Sequence, residues 1–199
     1  MNVNKKYLKI IIFIVLIILL SFFCWKVIKK HKTGNNTNSQ EVVDYILNIK
    51  SYKTKITAQV NSNKNKNIYI IKQEYNIENG SIQEVIEPAN IAGIKIIRKD
   101  DKITLENTNL NLSNVFENYK GLEENSLDLI CFIEDYKKQE KSSFEENTNE
   151  IIMKTKNNNK YYQNKILYID KENKKPTKMI VEDNSKNIVI NIQYNEIEF

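Results

Sequence analysis

Apolar and polar residues alternate along most of this chain, most cleanly in its last third. From Tyr161 to Phe199 it reads YYQNKILYIDKENKKPTKMIVEDNSKNIVINIQYNEIEF. The two-residue period is that of strands with one dry face. Residues 160–170, 177–182 and 186–198 are predicted strands, joined by an Asp-Lys turn ahead of Pro176 and an Asp-Asn-Ser turn. They form a β-meander with a curved apolar surface.

The rest of the chain divides by the same test. Ser39 is the predicted cap of a helix from Gln40, with Val42, Val43, Tyr45, Ile46 and Ile49 as its apolar stripe. Strands follow at 52–60, 69–77, 81–87, 94–98 and 102–106. The connections are Asn61–Asn67, the Asn79-Gly80 turn, Pro88 and the Asp100-Asp101 turn. After a loop at 107–111, Leu112, Val115, Phe116 and Tyr119 are spaced as a short helix closed by Gly121. Ser126 is the predicted cap of another helix, with Leu127, Ile130, Cys131 and Glu134 facing inward. Residues 144–155 read as one strand, and Asn157–Asn159 as the hairpin turn after it. The fold class is α+β: a strongly curved antiparallel sheet, a half-barrel, covered by helices.

The front of the chain has a different pattern. From Ile10 to Trp25 nothing is charged and almost nothing is polar. As a helix, Tyr7 to Ile28 would rise about 33 Å, enough for a bilayer core of about 30 Å. Tyr7 and Trp25 stand where interfacial aromatics belong. Phe22-Phe23-Cys24-Trp25 lacks the small residues of a cleavage site. A lipoprotein signal would acylate Cys24, but Phe23 fills the position where that pattern has a small residue. The expectation is an uncleaved anchor at 7–28, after a cytoplasmic tail at 1–6 and before a tether at 29–39. The domain at 40–199 then lies outside the cytoplasm, although lysines on both sides of the anchor leave orientation undecided by charge.

Charge splits at the same place. Seven of the 30 basic residues precede Thr33 and all 25 acidic ones follow Gln40, so the domain is slightly acidic. With Arg98 as its single arginine, it has no basis for nucleic-acid binding. His31 is the only histidine and lies in the tether, so no Ser-His or Cys-His pair and no zinc site can be assembled. Gly34, Gly80, Gly93 and Gly121 are scattered and make no phosphate loop. Asp100-Asp101 and Glu123-Glu124 read as solvated turn residues, and Cys131 as a core residue that does not pair with Cys24. Neither catalytic residues nor a cofactor nor a metal are expected. Tyr69, Tyr75, Tyr161, Tyr162, Tyr168 and Tyr194 either pack the core and rim of the sheet or line a binding surface, where tyrosine is enriched.

Two stretches, VIEPANIAGIKIIRKDDKI (Val85–Ile103) and YIDKENKKPTKMIVEDNSKNIVINIQY (Tyr168–Tyr194), carry a resemblance to LolA/LolB-like lipoprotein carriers and related sporulation proteins. Within that group the chain resembles the clostridial GerS and GerS-related germination proteins in size, composition and tethered domain. The resemblance covers residues 40 to 199. It implies a spore-envelope protein, membrane-held, that binds a cortex amidase of the N-acetylmuramoyl-L-alanine class. The alternative is a carrier holding acyl chains under the half-barrel. A homodimer is left open. Long polar side chains at inner positions, such as Gln73 and Lys165, suit a filled core better than a greasy pocket.

Overall fold

In the computed structural model, residues 38–62, 64–100, 102–117, 127–140, 142–156 and 164–199 are described. The predicted anchor (Tyr7, Ile10, Trp25, Ile28), Cys24, His31, Gly34, Asp101, Gly121, Glu123, Glu124, Ser126, Asn157–Asn159, Tyr161 and Tyr162 lie outside these residues. Among the described residues no helix is long and apolar enough to cross a membrane.

The first helix, α1, runs Ser39–Leu47. Its cap is Asn38, whose side chain accepts from the Gln40 N–H at 3.1 Å. Ser39, the expected cap, instead donates its hydroxyl to the Glu146 carboxylate. Six strands follow: β1 (Ser51–Asn61), β2 (Lys66–Asn76), β3 (Gly80–Glu87), β4 (Ile94–Lys99), β5 (Lys102–Asn107) and β6 (Leu112–Glu117). Next come α2 (Leu129–Lys137), β7 (Phe144–Glu146), β8 (Glu150–Lys156), β9 (Asn164–Asp170), β10 (Pro176–Glu182) and β11 (Ile188–Glu198). All eleven strands join in one sheet in the order β6-β5-β4-β3-β2-β1-β11-β10-β9-β8-β7. Every pairing is antiparallel. Two meanders therefore meet at the β1–β11 seam, and the chain passes from one edge of the sheet to the other through the segment that holds α2.

Two expectations are corrected. Leu112–Glu117 is a strand, not a helix: it pairs with β5 from Lys102↔Glu117 to Asn107↔Leu112. An isolated helix of two turns is marginal in water, whereas the ladder satisfies these backbone groups directly. Residues 144–155 are a hairpin, not one strand. The Asn147 side chain accepts from the N–H of Asn149 at 3.0 Å and of Glu150 at 2.7 Å, which closes a tight turn between β7 and β8.

Gly80 shows how closely strands β3 and β4 approach. It has φ +80°, and a Cβ there would lie 2.0 Å from the Arg98 carbonyl oxygen. Only glycine combines that backbone angle with that contact. Asp100, at φ 51°, turns the next hairpin.

The sheet curls around α2. Arg98 on β4 and Lys165 on β9 both reach that helix, yet six inter-strand steps separate those strands, about 28 Å on a flat sheet. A helix about 10–12 Å across meets both only if the sheet closes toward it. The core lies on this inner side. It combines Val42, Val43 and Ile46 of α1 with Leu129, Phe132 and Ile133 of α2 and the inner residues of β1, β2 and β8–β11. Among the described residues, both helices pack chiefly on β8 and on each other. No residue of β3–β6 belongs to the core cluster.

Candidate partner-binding surface

Cross-strand register defines the inner face outside the core. One row runs Ser81–Arg98–Ile103–Phe116, the next Gln83–Ile96–Leu105–Asn114, and a third Ile94–Asn107–Leu112. Ile103 is buried, Ile94 and Ile96 are half-buried, and Leu105, Leu112 and Phe116 are 39%, 58% and 38% exposed. Inner positions that are fully covered in β8–β11 are thus partly or largely open at Leu105, Leu112 and Phe116. Aliphatic side chains with this much contact to water mark a surface suited to a second molecule.

The border between this wing and the core is a buried polar cluster. The Tyr52 hydroxyl donates to Asp128, whose Oδ1 also accepts the Ile130 N–H at 3.2 Å and so caps α2. Gln73 Nε2 donates to the Leu127 carbonyl at 2.6 Å. Arg98 spans the border: Nη2 meets Glu134 Oε2 at 2.6 Å and Nη1 meets Cys131 Sγ at 2.6 Å. Gln73 Oε1, Gln83 Nε2 and the Tyr194 hydroxyl have no hydrogen-bond partner among the described residues.

Electrostatics in the cluster follow from burial. Burial, and then Asp128, raise the Tyr52 and Tyr194 phenols far above their ordinary value. Burial pushes the Cys131 thiol up to about 12, with Asp128 adding to it. Burial alone would lower the Arg98 value, but the Glu134 carboxylate bonded to it reverses this and holds the guanidinium charged. The thiol is therefore protonated at neutral pH, and a protonated thiol is a poor nucleophile. Among the described residues no group of three or more His, Cys, Asp or Glu side chains is placed to hold a metal.

The predicted site residues are scattered. Tyr194 is in the core, Tyr69 and Tyr75 pack against it, and Tyr168 lies under the Lys178 ammonium, 4.0 Å from the ring centroid. Tyr75 stands 5.7 Å from Tyr52, ring to ring. Asp100 is an exposed turn residue. Glu134 is a partner for Arg98 rather than a core residue. The residues that open the surface, Leu105, Leu112 and Phe116, were masked by the helical spacing of Leu112, Val115 and Phe116. The competing signal was the two-residue step Leu112–Asn114–Phe116.

Residues 6–199 match the family described as sporulation protein YdcC-like. The chain belongs to that family. The same fold occurs in one chain of the structure of the CwlD amidase from Clostridioides difficile in complex with the GerS lipoprotein. That likeness has a TM-score of 0.53 at 22% identity, covering 84% of this chain and 97% of that one. An uncharacterized conserved protein from Thermus thermophilus aligns at TM-score 0.52 and 10% identity over 80% of this chain and 86% of its own. The LolA superfamily protein NE2245 from Nitrosomonas europaea aligns at TM-score 0.46 and 13% identity over 81% and 93%. No curated protein sequence matches the chain. The fold expected from the GerS resemblance, a curved antiparallel sheet with helices, is the fold found.

Proposed function

We propose that this member of the YdcC-like sporulation family is a non-catalytic accessory of the spore envelope. In this reading its open inner face at β4–β6 holds a protein partner. The observation that carries it is the run Ile94, Ile96, Leu105 and Leu112, which neither helix covers among the described residues. The partner class comes from the GerS lipoprotein, whose fold-sharing structure is a complex with the CwlD amidase. A cortex amidase of that class is the partner proposed here. Membrane attachment through residues 7–28 is part of the same reading, since a tethered domain would keep the enzyme at the envelope.

The acyl-chain carrier reading fits less well. Gln73, Gln83 and Lys165 are buried on the inner side, 1%, 4% and 1% exposed, and a lipid tail laid against them would strand polar groups. The test is co-purification of the full chain with the organism's own cortex amidase from sporulating cells, with lipid extraction of the same sample. Stoichiometric amidase is expected, lost in Leu105→Asp and Leu112→Asp. Stoichiometric lipid without amidase would defeat the proposal in favour of the carrier.

A further inference from the structure

The hairpin between β2 and β3 carries a chemistry that its fold does not use. Asn79-Gly80 is the only asparagine followed by glycine in the chain. The loop consists of Ile77, Glu78 and Asn79, between the paired residues Asn76 and Gly80. Asn76 holds it: its carbonyl accepts from the Asn79 N–H at 3.1 Å, and its side chain accepts from the Glu78 N–H at 2.9 Å. Gly80 follows at φ +80°, the left-handed residue that ends such a three-residue loop. The Asn79 side chain is exposed and makes no hydrogen bond among the described residues. An open cleft of about 510 Å³ lies beside it, with Asn79, Gly80 and Ile82 in its lining, so water reaches this residue.

We propose that Asn79 is a site of slow spontaneous deamidation, and that its isoaspartate product loosens the strand that carries Arg98. The Gly80 nitrogen attacks Asn79 Cγ. The N–Cγ bond forms as the bond from Cγ to the amide nitrogen breaks, and ammonia leaves with the proton from Gly80. Glycine has no Cβ to shield the attacking nitrogen. Water then opens the cyclic imide. Opening at Cγ gives aspartate; opening at the α-carbonyl gives isoaspartate, whose main chain runs through Cγ. Either way, one amide and one water become a carboxylate and an ammonium ion.

Isoaspartate lengthens the main chain by one carbon, about 1.5 Å. The hairpin has no slack for it. Gly80 is pinned on one side by its pairing with Asn76. On the other side the Arg98 carbonyl oxygen lies 2.0 Å from where a Cβ would sit. The next pair is Ser81 with Arg98, so the displacement falls on the residue whose guanidinium holds Glu134. The hairpin also restrains the reaction, because the Gly80 nitrogen must leave its place opposite Asn76 to reach Cγ. None of this depends on the partner assigned above.

Ageing the detergent-solubilised full chain in mildly alkaline buffer tests it. Peptide mass spectrometry follows every asparagine, and electron-transfer fragmentation tells isoaspartate from aspartate. Asn79 is expected to convert before any other asparagine, several-fold more slowly in the folded chain than in urea, with isoaspartate as the main product. As it accumulates, amide exchange at residues 81–83 and 96–98 should accelerate several-fold while β8–β11 stay protected. Asn79→Gln, aged in parallel, should keep its protection. Asn79→Asp, which has the new charge on an unaltered main chain, should match the unaged protein. An Asn79 that stays intact in the folded chain while it converts in urea would overturn the site. Unchanged exchange in the aged protein, or Asn79→Asp exchanging as fast as the aged protein, would overturn the link to Arg98.

Discussion

Strands β8 to β11 and strands β4 to β6 are the two arms of one sheet, and they differ in what lies over them. In the first arm Ile151, Met153, Leu167, Ile169, Met179 and Ile192 are fully buried. In the second, Ile94, Ile96, Leu105, Leu112 and Phe116 occupy the same inward positions and remain partly or largely open to solvent. The pairing chemistry is the same in both. Strand alternation decides which face a side chain takes, while cover decides whether that face is core or open surface. Arg98, reaching from β4 to Glu134 and Cys131, ties the open arm to the covered one.

The largest expected effect separates the arms by stability. Leu167→Ala or Phe132→Ala, each at a fully buried position, should cost about 3–5 kcal/mol in denaturant unfolding. Leu112→Ala should cost about 0.5 kcal/mol or less, as surface substitutions do. Equal losses would abolish the distinction.

A second effect lies inside the covered arm. Lys165 is 1% exposed and pairs with Asp135 at 2.7 Å. Asp135→Asn should cost about 3 kcal/mol, because it leaves a buried ammonium unpaired, whereas the double replacement Lys165→Met with Asp135→Leu should be neutral or stabilising. A larger loss for the double replacement would mean that the ion pair itself holds α2 to β9.

At the junction, Glu134→Gln weakens the tie between the arms. Glu134 is 40% exposed, so the global cost should be only about 1 kcal/mol. Amide exchange in β3–β5 should accelerate while β8–β11 stay protected. Uniform acceleration would show that the arms open together.

The last effect is absent at neutral pH and appears only in alkali. The Cys131 thiol has an ordinary value of 9.0 and is pushed up to about 12. Between those values the unfolded chain has lost this proton and the native chain keeps it. Stability should therefore fall as pH rises from about 9 to 12, by at most about 1.4 kcal/mol per pH unit for one group. The buried phenols of Tyr52 and Tyr194 act in the same direction. Cys131→Val should reduce the slope, and an unchanged slope would assign it wholly to the tyrosines.

Much of the fold was legible because strand alternation is local. The segments around Tyr52, Tyr69, Ser81, Ile94, Ile103 and the last three strands all became strands, and the Asp100 and Asn79-Gly80 turns fall at hairpins. The open inner face was not legible, because Leu112, Val115 and Phe116 fit two periods at once and only β5 selects between them. Asp128 as the cap of α2 was likewise hidden, since its rank over other capping residues comes from Tyr52, distant in sequence and adjacent in space.

By itself the sequence determined the antiparallel class, the dry face of each strand and the slightly acidic domain. These depend on residue type and near-neighbour spacing. Tertiary structure alone decided that β1 meets β11, that Arg98 reaches α2, and that β6 is a strand at the end of the sheet. Each of those depends on contacts between residues far apart in the chain, and no local pattern encodes which face will be left uncovered.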